Sequence, residues 1–193
     1  MANVSGAVLV GGASRRMGRD KAHIEVAGEA LAVRTARLLD AVCDDVLLVG
    51  GIAPAAAPGR PVSDPDDGAP PSAMRGLLAA LEAARSEEVL VVATDLPHLH
   101  VELLLGLVAW PRHEAVVPRD LTGRLHPLCA LYRREPALAA ARDCYVRERY
   151  ALRGVLEALD TSYLEGSDLD AIDPGARGLT NVNTPAELAR ALG

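Results

Sequence analysis

The sequence contains no phenylalanine, a single tryptophan and four tyrosines among its 193 residues. Proteins that bind single-stranded nucleic acids without sequence preference stack the bases on aromatic side chains. The formal net charge is −6, because 26 acidic residues outnumber 20 basic ones, whereas a nucleic-acid-binding face must be basic. The shortage of aromatic and basic residues therefore argues against DNA or RNA as a partner.

Cysteine is also scarce, and none of the three cysteines, Cys43, Cys129 and Cys144, is close to another in the sequence. An odd number without CxxC spacing predicts neither a disulfide framework nor a zinc site. The apolar runs are much shorter than the roughly 20 residues of a membrane span. Residues 1–12 also lack the basic start of a signal peptide. We therefore expect a cytoplasmic protein without a membrane partner.

Lysine is the rarest basic residue, since Lys21 is the only lysine and the other 19 basic side chains, histidine aside, are arginines. It lies in the stretch VLVGGASRRMGRDKA, where a short apolar run leads into two glycines. Lysine is a compact charge on a flexible stem, suited to a phosphate whose charge changes during a reaction. Arginine is a rigid fork suited to bidentate binding. The placement of Lys21 indicates a role that arginine does not fill; chance placement is the alternative.

Short apolar runs alternate with longer amphipathic stretches along the chain. Strands are predicted over residues 4–10, 45–49, 89–93, 115–118 and 127–132, and helices over 29–42, 72–85, 101–109, 135–146, 150–159 and 184–192. Ser72 and Thr184 are the expected N-caps, with Pro185 at the first helical position. This alternation predicts an α/β protein with a mostly parallel sheet, and its length predicts one domain over residues 1–193.

Gly11 and Gly12 follow the first predicted strand directly and predict a loop that binds phosphate. Glycine permits positive φ and a close approach of the backbone, and successive N–H groups in such a turn bind anions. Arg15, Arg16 and Lys21 add full positive charge. The spacing matches neither the Walker pattern nor GxGxxG, so we interpret the stretch as a different kind of phosphate loop. A basic turn with solvated arginines is the alternative.

Two aspartates are predicted to reach the same edge of the sheet as this loop. Ligands of parallel α/β sheets bind outside the carboxyl ends of the strands, and Asp95 comes just after the strand at 89–93. Because Mg²⁺ prefers one or two carboxylates with phosphate oxygens and water, Asp95 is predicted to be a metal ligand; capping of the next helix is the alternative. Asp64 is the best candidate in the long loop 51–71, where turn formation is the alternative.

Two further sets of polar residues are predicted to be exposed and without a catalytic role. Asp168, Asp170 and Asp173 belong to a polar segment and are interpreted as part of a solvated loop. His98 and His100 lie near Asp95 but lack the spacing of a metal motif, so they are predicted to be surface residues.

The stretch LVGGASRRMGRDKA resembles LAGGxSxRMGxDKA, a signature of the molybdenum cofactor guanylyltransferases. The resemblance continues in the same order along nearly the whole chain, in RGLLAAL at 75–81, ATDLP at 93–97, HPLCALY at 126–132 and TNVNTPAEL at 180–188. It implies the Rossmann-like nucleotidyltransferase fold, with three α/β/α layers and a mostly parallel sheet.

The resemblance also implies a reaction that requires Mg²⁺. The terminal phosphate of molybdenum-bearing molybdopterin would attack the α-phosphate of GTP, pyrophosphate would leave, and molybdopterin guanine dinucleotide would form without a covalent enzyme intermediate. Arg16 and Lys21 would offset the charge that develops on the phosphates, and Asp95 would bind Mg²⁺.

The resemblance assigns further residues to the two substrates. Asn181 and Asn183 would contact the acceptor, and molybdoenzymes or cofactor-biosynthesis proteins would be the protein partners. The nucleotide-binding residues implied are Leu9, Val10, Gly11, Gly12, Ala13, Ser14, Arg15, Gly18, Lys21, Asp64 and Asp95.

Two departures from the family pattern concern the nucleotide and leave other functions open. Residues 72–76 read SAMRG where the family has GPLAG, and Gly50 and Gly51 follow a strand where the family often has an asparagine that contacts the base. A related enzyme that uses CTP or a sugar-phosphate acceptor is therefore an alternative, although the glycine pair and Asp20 favour the guanylyl branch. A nucleotide-binding module that catalyses no reaction is a second alternative, although the complete basic loop argues against it.

Replacing Lys21 by arginine tests the reason for the single lysine. Lys21→Arg is expected to retain GTP binding with Mg²⁺ in isothermal calorimetry and to lose guanylyl transfer to molybdopterin, because the charge remains while the flexible stem does not. A Lys21→Arg variant that transfers the guanylyl group at the wild-type rate would show that arginine can replace lysine at this position.

Overall fold

Strands and helices alternate along the part of the chain that the structure, a computed structural model, describes: residues 3–10, 24–26, 28–64, 72–182 and 184–192. The strands are β1 (Val4–Leu9), β2 (Glu25–Val26), β3 (Glu29–Ala30), β4 (Asp45–Val49), β5 (Arg60–Val62), β6 (Glu88–Ala93), β7 (Ala115–Pro118), β8 (Cys129–Arg133) and β9 (Thr161–Leu164). The helices are α1 (Leu31–Asp40), α2 (Ala73–Ala83), α3 (Val101–Ala109), α4 (Arg134–Val146), α5 (Arg153–Glu157), α6 (Gly166–Ile172) and α7 (Pro185–Leu192), with a 3₁₀ segment at Pro174–Leu179.

Seven of the described strands form one sheet in the order β5-β4-β1-β6-β8-β7-β9. The first four of these are parallel to one another, β8 is antiparallel to both β6 and β7, and β9 is parallel to β7. After β1 the chain builds outward through β4 and β5, and it then returns to place β6 on the other side of β1. The strand order therefore reverses between β1 and β6, where α/β sheets open a ligand-binding crevice.

The two faces of the sheet are covered by different helices. Because successive side chains of a strand point to opposite faces, Ala7 and Leu9 of β1 pack in the core with α2, α4 and α5. Val4 and Val8 pack in the core with α1 and α3. All six residues of β1 are buried, as expected for a parallel strand covered on both faces. The predicted three-layer α/β/α fold with a mostly parallel sheet is confirmed.

Two helices begin at the predicted capping residues. The Ser72 hydroxyl accepts a hydrogen bond from the backbone N–H of Arg75 at 3.4 Å, at the start of α2. Thr184 and Glu187 form a reciprocal capping box before α7: each backbone N–H donates to the other side chain at 3.1 Å. None of the described helices has the length and apolar character needed to cross a membrane.

Three predicted boundaries were wrong, each for a local reason. The helix predicted over 29–42 is α1, Leu31–Asp40, because Glu29 and Ala30 pair with Glu25–Val26 instead. The loop predicted over 51–71 contains β5, an edge strand in which Pro61 is tolerated because one side of the strand needs no ladder partner. The helix predicted over 150–159 is shortened to α5.

The prediction that Asp168, Asp170 and Asp173 are exposed is confirmed for Asp168 and Asp170 but was wrong for Asp173. The segment forms α6, and Asp173 at its end is only 2% exposed. The Asp173 carboxylate accepts the backbone N–H of Gly178 at 2.9 and 3.1 Å, which makes its burial tolerable. A buried carboxylate of this kind is invisible to composition, because its partners are chosen by the tertiary fold.

Replacing Ser5 by alanine tests how β1 is held to the loop before β6. Ser5 is fully buried, and its hydroxyl accepts the backbone N–H groups of Arg85 at 3.2 Å and Ser86 at 3.1 Å. Ser5→Ala leaves both donors without this acceptor and is expected to lower the free energy of unfolding by about 1–3 kcal/mol in urea denaturation. The exposed Ser167→Ala is the control, and equal stability of the two variants would contradict the assignment.

Candidate functional site

The described candidate residues lie at one edge of the sheet, where several strands end together. Leu9, the last residue of β1, is in register with Val49 of β4 and with Ala93 of β6. Val10 continues from β1 and donates its N–H to the Val49 carbonyl at 2.9 Å, and Asp95 lies two residues beyond β6. The crevice at the switch point therefore has the chain after β1 on one side and Asp95 on the other.

Most of the predicted phosphate loop lies outside the described residues. This applies to Gly11, Gly12, Ala13, Ser14, Arg15, Arg16, Gly18 and Lys21, and also to Asn183. The roles predicted for these residues stay predictions. The structure does place Leu9 and Val10, both buried, directly before the loop at the switch point, which is where a phosphate loop of an α/β sheet is expected.

Asp64, the predicted nucleotide-site aspartate, lies at the same edge but well away from Asp95. It is half-buried and follows β5, whose Val62 carbonyl accepts the N–H of Gly50 at 2.9 Å. Three strand spacings separate β5 from β6 in the sheet order, or roughly 14 Å at about 4.8 Å per strand. One metal ion does not bridge such a distance, whereas an extended ligand does.

A cavity of about 290 Å³ opens at the end of β6, and both Asp95 and Asn181 line it. Its mostly apolar wall with a few convergent polar groups is typical of a small-molecule site. The other lining residues are Ala93, Leu96, Arg124, Leu125, His126, Pro127, Leu128, Cys129 and Leu152.

Asn181 is brought to Asp95 by a backbone hydrogen bond between two segments that are distant in sequence. The N–H of Val182 donates to the backbone carbonyl of Asp95 at 2.9 Å. The side-chain oxygen of Asn181 is buried and accepts no hydrogen bond from any described residue. Because an unsatisfied buried acceptor is costly, this oxygen is suited to a donor or a cation on a ligand.

Asp95 is not the cap of the following helix, which removes the alternative interpretation of this residue. His100 occupies the N-cap position of α3. Asp95 and Asn181 together offer a carboxylate and an amide oxygen, the hard donors that Mg²⁺ prefers. The described residues contain no group of three or more His, Cys, Asp and Glu side chains able to hold a metal. The donor set therefore fits an ion that completes its coordination with phosphate oxygens and water.

A histidine–aspartate contact holds the chain before Asn181 against the chain after Asp95. Nε2 of His100 lies 3.2 Å from Oδ1 of the buried Asp173, and its Nδ1 lies 3.1 Å from Oε2 of Glu102. The prediction that His100 is a surface residue was wrong, because its ring is half-buried between two carboxylates. The sequence contains no local signal for a pair whose members are so far apart.

The loop between β7 and β8 carries a second Asp–His pair that the sequence motifs did not single out. Nε2 of His126 lies 2.9 Å from Oδ2 of Asp120. The other oxygen of Asp120 accepts from the N–H of Thr122 at 2.9 Å, the hydroxyl of Thr122 at 2.6 Å and the N–H of Arg124 at 3.1 Å. The Thr-Gly pair predicts a turn between the strands expected at 115–118 and 127–132, and the Asp-x-Thr spacing before it is a turn signature.

These contacts fix the charge of Asp120. Partial burial alone would raise the pKa of its carboxyl, but the hydrogen bonds from Thr122, from His126 and from the backbone of Arg124 outweigh burial and lower the pKa to about 2. The carboxylate is therefore ionised at any pH near neutrality and acts only as an acceptor.

Cys129 lines the cavity at the start of β8 but is not a nucleophile. Complete burial, and then the negative charges of Asp173 and Asp95, raise the pKa of its thiol to about 12. The thiolate is the reactive form, so Cys129 is an inert thiol at neutral pH. Chemistry at this cavity does not run through a cysteine adduct.

The departure from the family pattern at residues 72–76 has a structural role in α2. Arg75 is 5% exposed, and its Nη1 donates to the hydroxyl of Tyr145 in α4 at 3.2 Å. Its guanidinium therefore contributes to the contact between two helices.

Comparison with known proteins places this geometry among the nucleotidyltransferases. Residues 6–162 match the model of the MobA-like NTP transferase domain. A probable molybdenum cofactor guanylyltransferase of Chloroflexus aggregans is 35% identical over 193 residues, which cover 96% of this chain and 91% of the relative. A second probable molybdenum cofactor guanylyltransferase, from Mycobacterium avium, is 35% identical over 200 residues. The match covers 96% of this chain and 93% of that protein.

Solved structures share the fold at lower sequence identity. Molybdopterin-guanine dinucleotide biosynthesis protein A from Archaeoglobus fulgidus superposes with a TM-score of 0.78 at 23% identity, covering 97% of this chain and 96% of the other. A 2-C-methyl-D-erythritol 4-phosphate cytidylyltransferase from Thermus thermophilus gives 0.72 at 18% identity, with 98% and 97% covered. At these identities the likeness establishes the fold.

The hydrogen bonds of Asp120 predict a pH-dependent contribution to stability. Its pKa of about 2 in the folded chain lies below the unfolded value of about 3.9. The stabilisation is therefore complete above about pH 4 and is lost as the pH falls toward 2. Urea denaturation should show wild type more stable than Asp120→Ala by on the order of 2 kcal/mol at pH 6, and by roughly half as much at pH 3.

The exposed Asp168→Ala variant is the control for losing an aspartate that lies away from the cavity. A gap between wild type and Asp120→Ala that is as large at pH 3 as at pH 6 would show that the hydrogen-bonded carboxylate is not its source.

Proposed function

We propose a reaction for this chain, which belongs to the family of MobA-like NTP transferase domains. It transfers the GMP group of GTP to the terminal phosphate of molybdopterin, releasing pyrophosphate and forming molybdopterin guanine dinucleotide. The observation that carries this assignment is 35% identity, over 96% of the chain, to a probable molybdenum cofactor guanylyltransferase. We assign this activity to a single domain over residues 1–193 and to the cytoplasm. Molybdoenzymes or cofactor-biosynthesis proteins are the candidate protein partners.

The nucleotide occupies the β1 side of the crevice. Leu9 and Val10 lead to the switch point between β1 and β6, and the loop from Gly11 to Lys21 follows there. We assign the triphosphate to this loop, where Gly11, Gly12, Ala13, Ser14, Arg15 and Gly18 would contact it. Arg16 and Lys21 would offset the charge on the α-phosphate and on the departing pyrophosphate. Asp64, at the far end of the same edge, would bind the nucleoside.

Asp95 would hold magnesium beside the phosphates. Its position beyond β6, beside the amide oxygen of Asn181, supports this role. When bound, the ion supplies positive charge that neutralises the phosphates and helps to orient them. Asn181 and Asn183 would bind the acceptor; Asn181 lines the cavity, and its buried side-chain oxygen has no hydrogen-bond partner among the described residues.

The transfer needs no covalent intermediate on the protein. An oxygen of the acceptor phosphate forms a bond to the α-phosphorus of GTP while the bond to the bridging oxygen of the pyrophosphate breaks. The electron pair of the broken bond stays on the bridging oxygen, which leaves with the pyrophosphate. The protonated thiol of Cys129 takes no part in this exchange, which fits a direct displacement between two bound substrates.

Pyrophosphate release from each of the four nucleoside triphosphates, with Mg²⁺ and with or without molybdopterin, tests the assignment. GTP is expected to react, and only when molybdopterin is present. Asp95→Asn should reduce this rate by about 100-fold or more, the scale of losing one electrostatic group in an active site, and should weaken the stabilisation that GTP with Mg²⁺ gives in a thermal-shift assay.

Asp168→Asn is the matched control, since Asp168 is an exposed aspartate of α6 and should leave both readings unchanged. Equal use of CTP would replace the guanylyl assignment by the cytidylyl one. Nucleotide binding without product from any acceptor would identify a binding module instead of an enzyme.

A further inference from the structure

His126 is a buried polar residue of the cavity to which the proposed reaction assigns no role. Asp95 and Asn181 account for two of the four polar residues that line this cavity. Of the other two, Arg124 is exposed, whereas His126 is only 6% exposed. A buried histidine in a ligand cavity, held by an aspartate, is a preorganised group and not a solvated one.

The ring of His126 is held from behind by Asp120. Asp120 is not among the lining residues of the cavity, while His126 is, and Nε2 faces Oδ2 of Asp120 at 2.9 Å. The backbone of His126 is also anchored: its N–H donates to the Pro118 carbonyl at 3.0 Å, and its carbonyl accepts from Cys129 at 2.9 Å. The position of the ring is therefore set before any ligand binds.

Asp120 also determines which nitrogen of the ring carries the proton. Its carboxylate is ionised and can only accept, so Nε2 must be the donor. In neutral imidazole the other nitrogen, Nδ1, then has a free lone pair and acts as an acceptor. No described residue donates to Nδ1. The ring consequently has one acceptor nitrogen left for a ligand.

The sheet order assigns this acceptor to one of the two substrates. β1, with the predicted triphosphate loop, lies on one side of β6, and β8, which follows His126, lies on the other. His126 is therefore on the side of Asp95 that faces away from the nucleotide. The apolar residues around it, including Leu125, Leu128 and Leu152, suit a flat ring better than a phosphate.

We propose that Nδ1 of His126 accepts a hydrogen bond from an N–H group on the nitrogen heterocycle of the acceptor substrate, and that Asp120 acts as the positioning residue that holds the single ring proton of the neutral imidazole on Nε2. This inference rests on the proposed function, because it takes the acceptor to be a pterin. His126 is then a specificity residue for the acceptor, and it does not contact GTP.

Two substitutions separate this role from a structural one. His126→Gln keeps an amide N–H that can reach Asp120, and so keeps the pair, but its one acceptor, a carbonyl oxygen on a flexible chain, is not fixed at the position of Nδ1. Asp120→Asn keeps an oxygen for Thr122 and Arg124 but turns an amide donor toward Nε2. The ring proton then moves to Nδ1, which becomes a donor and repels the ligand N–H. Each variant is expected to raise the KM for molybdopterin by about tenfold or more, as when a site loses a hydrogen bond to its substrate.

The matched control is His113→Gln, which alters an exposed Asp–His pair, since Nδ1 of His113 lies 3.0 Å from Oδ2 of Asp160. It should leave the KM for molybdopterin unchanged. All three variants should show the wild-type thermal shift with GTP and Mg²⁺, which proves that they fold. In ¹⁵N spectra, His126 of the wild type should have its proton on Nε2, and that of Asp120→Asn should have it on Nδ1.

The possible failures are distinguishable. If the wild type does not transfer GMP to molybdopterin, the proposed function fails. If the wild type transfers and both variants keep its KM for molybdopterin, the role of His126 is overturned while the function stands. A raised KM in His126→Gln alone would overturn the positioning role of Asp120. If His126→Gln does not fold, Asp120→Asn alone tests the proposal: an unchanged KM for molybdopterin with the ring proton moved to Nδ1 would overturn it.

Discussion

The parallel pairing of Val4–Leu9 with Glu88–Ala93 is the constraint on which the candidate site depends. This register ends both strands side by side, so that the chain after Leu9 and the chain around Asp95 enter the same crevice. A one-residue slip would turn the buried side chains of each strand to the opposite helical layer. The two separate cores on either side of the sheet therefore hold the register, and with it the distance between the two halves of the site.

Carboxylates saturated with hydrogen bonds hold the rest of the site in place. Asp173 accepts from Gly178 and pairs with His100, which ties the segment that leads to Asn181 against the segment that follows Asp95. Asp120 is satisfied by its own loop and holds His126. In both pairs a carboxylate that is buried or partly buried is tolerated because polar hydrogens surround it, and the pair with Asp120 fixes an imidazole at the cavity. Such rigid support is what a binding site needs to keep its geometry.

The features predicted correctly from sequence were local ones. Ser72 and Thr184 cap their helices because a capping residue acts within one turn. The strands β1, β4 and β6 were found because apolar runs covered on both faces are continuous. The segment from 160 to 180 was missed, because β9 is short and half-exposed and pairs only with β7. Pro61 concealed β5, since a proline is tolerated only at a sheet edge and the edge is not visible in sequence.

The amino-acid sequence by itself determined the class of the fold, the position of Asp95 at a strand end and the family resemblance carried by the loop around Lys21. These depend on residue type and on short spacings, which a linear chain displays directly. Only the tertiary structure decided that Asn181 meets Asp95, that Asp173 is buried against His100 and that Asp120 orients His126 at the cavity. The first two contacts join segments far apart in the chain. The third looks local, but the burial that gives it a function comes from the sheet, which packs the loop between β7 and β8 beside the end of β6.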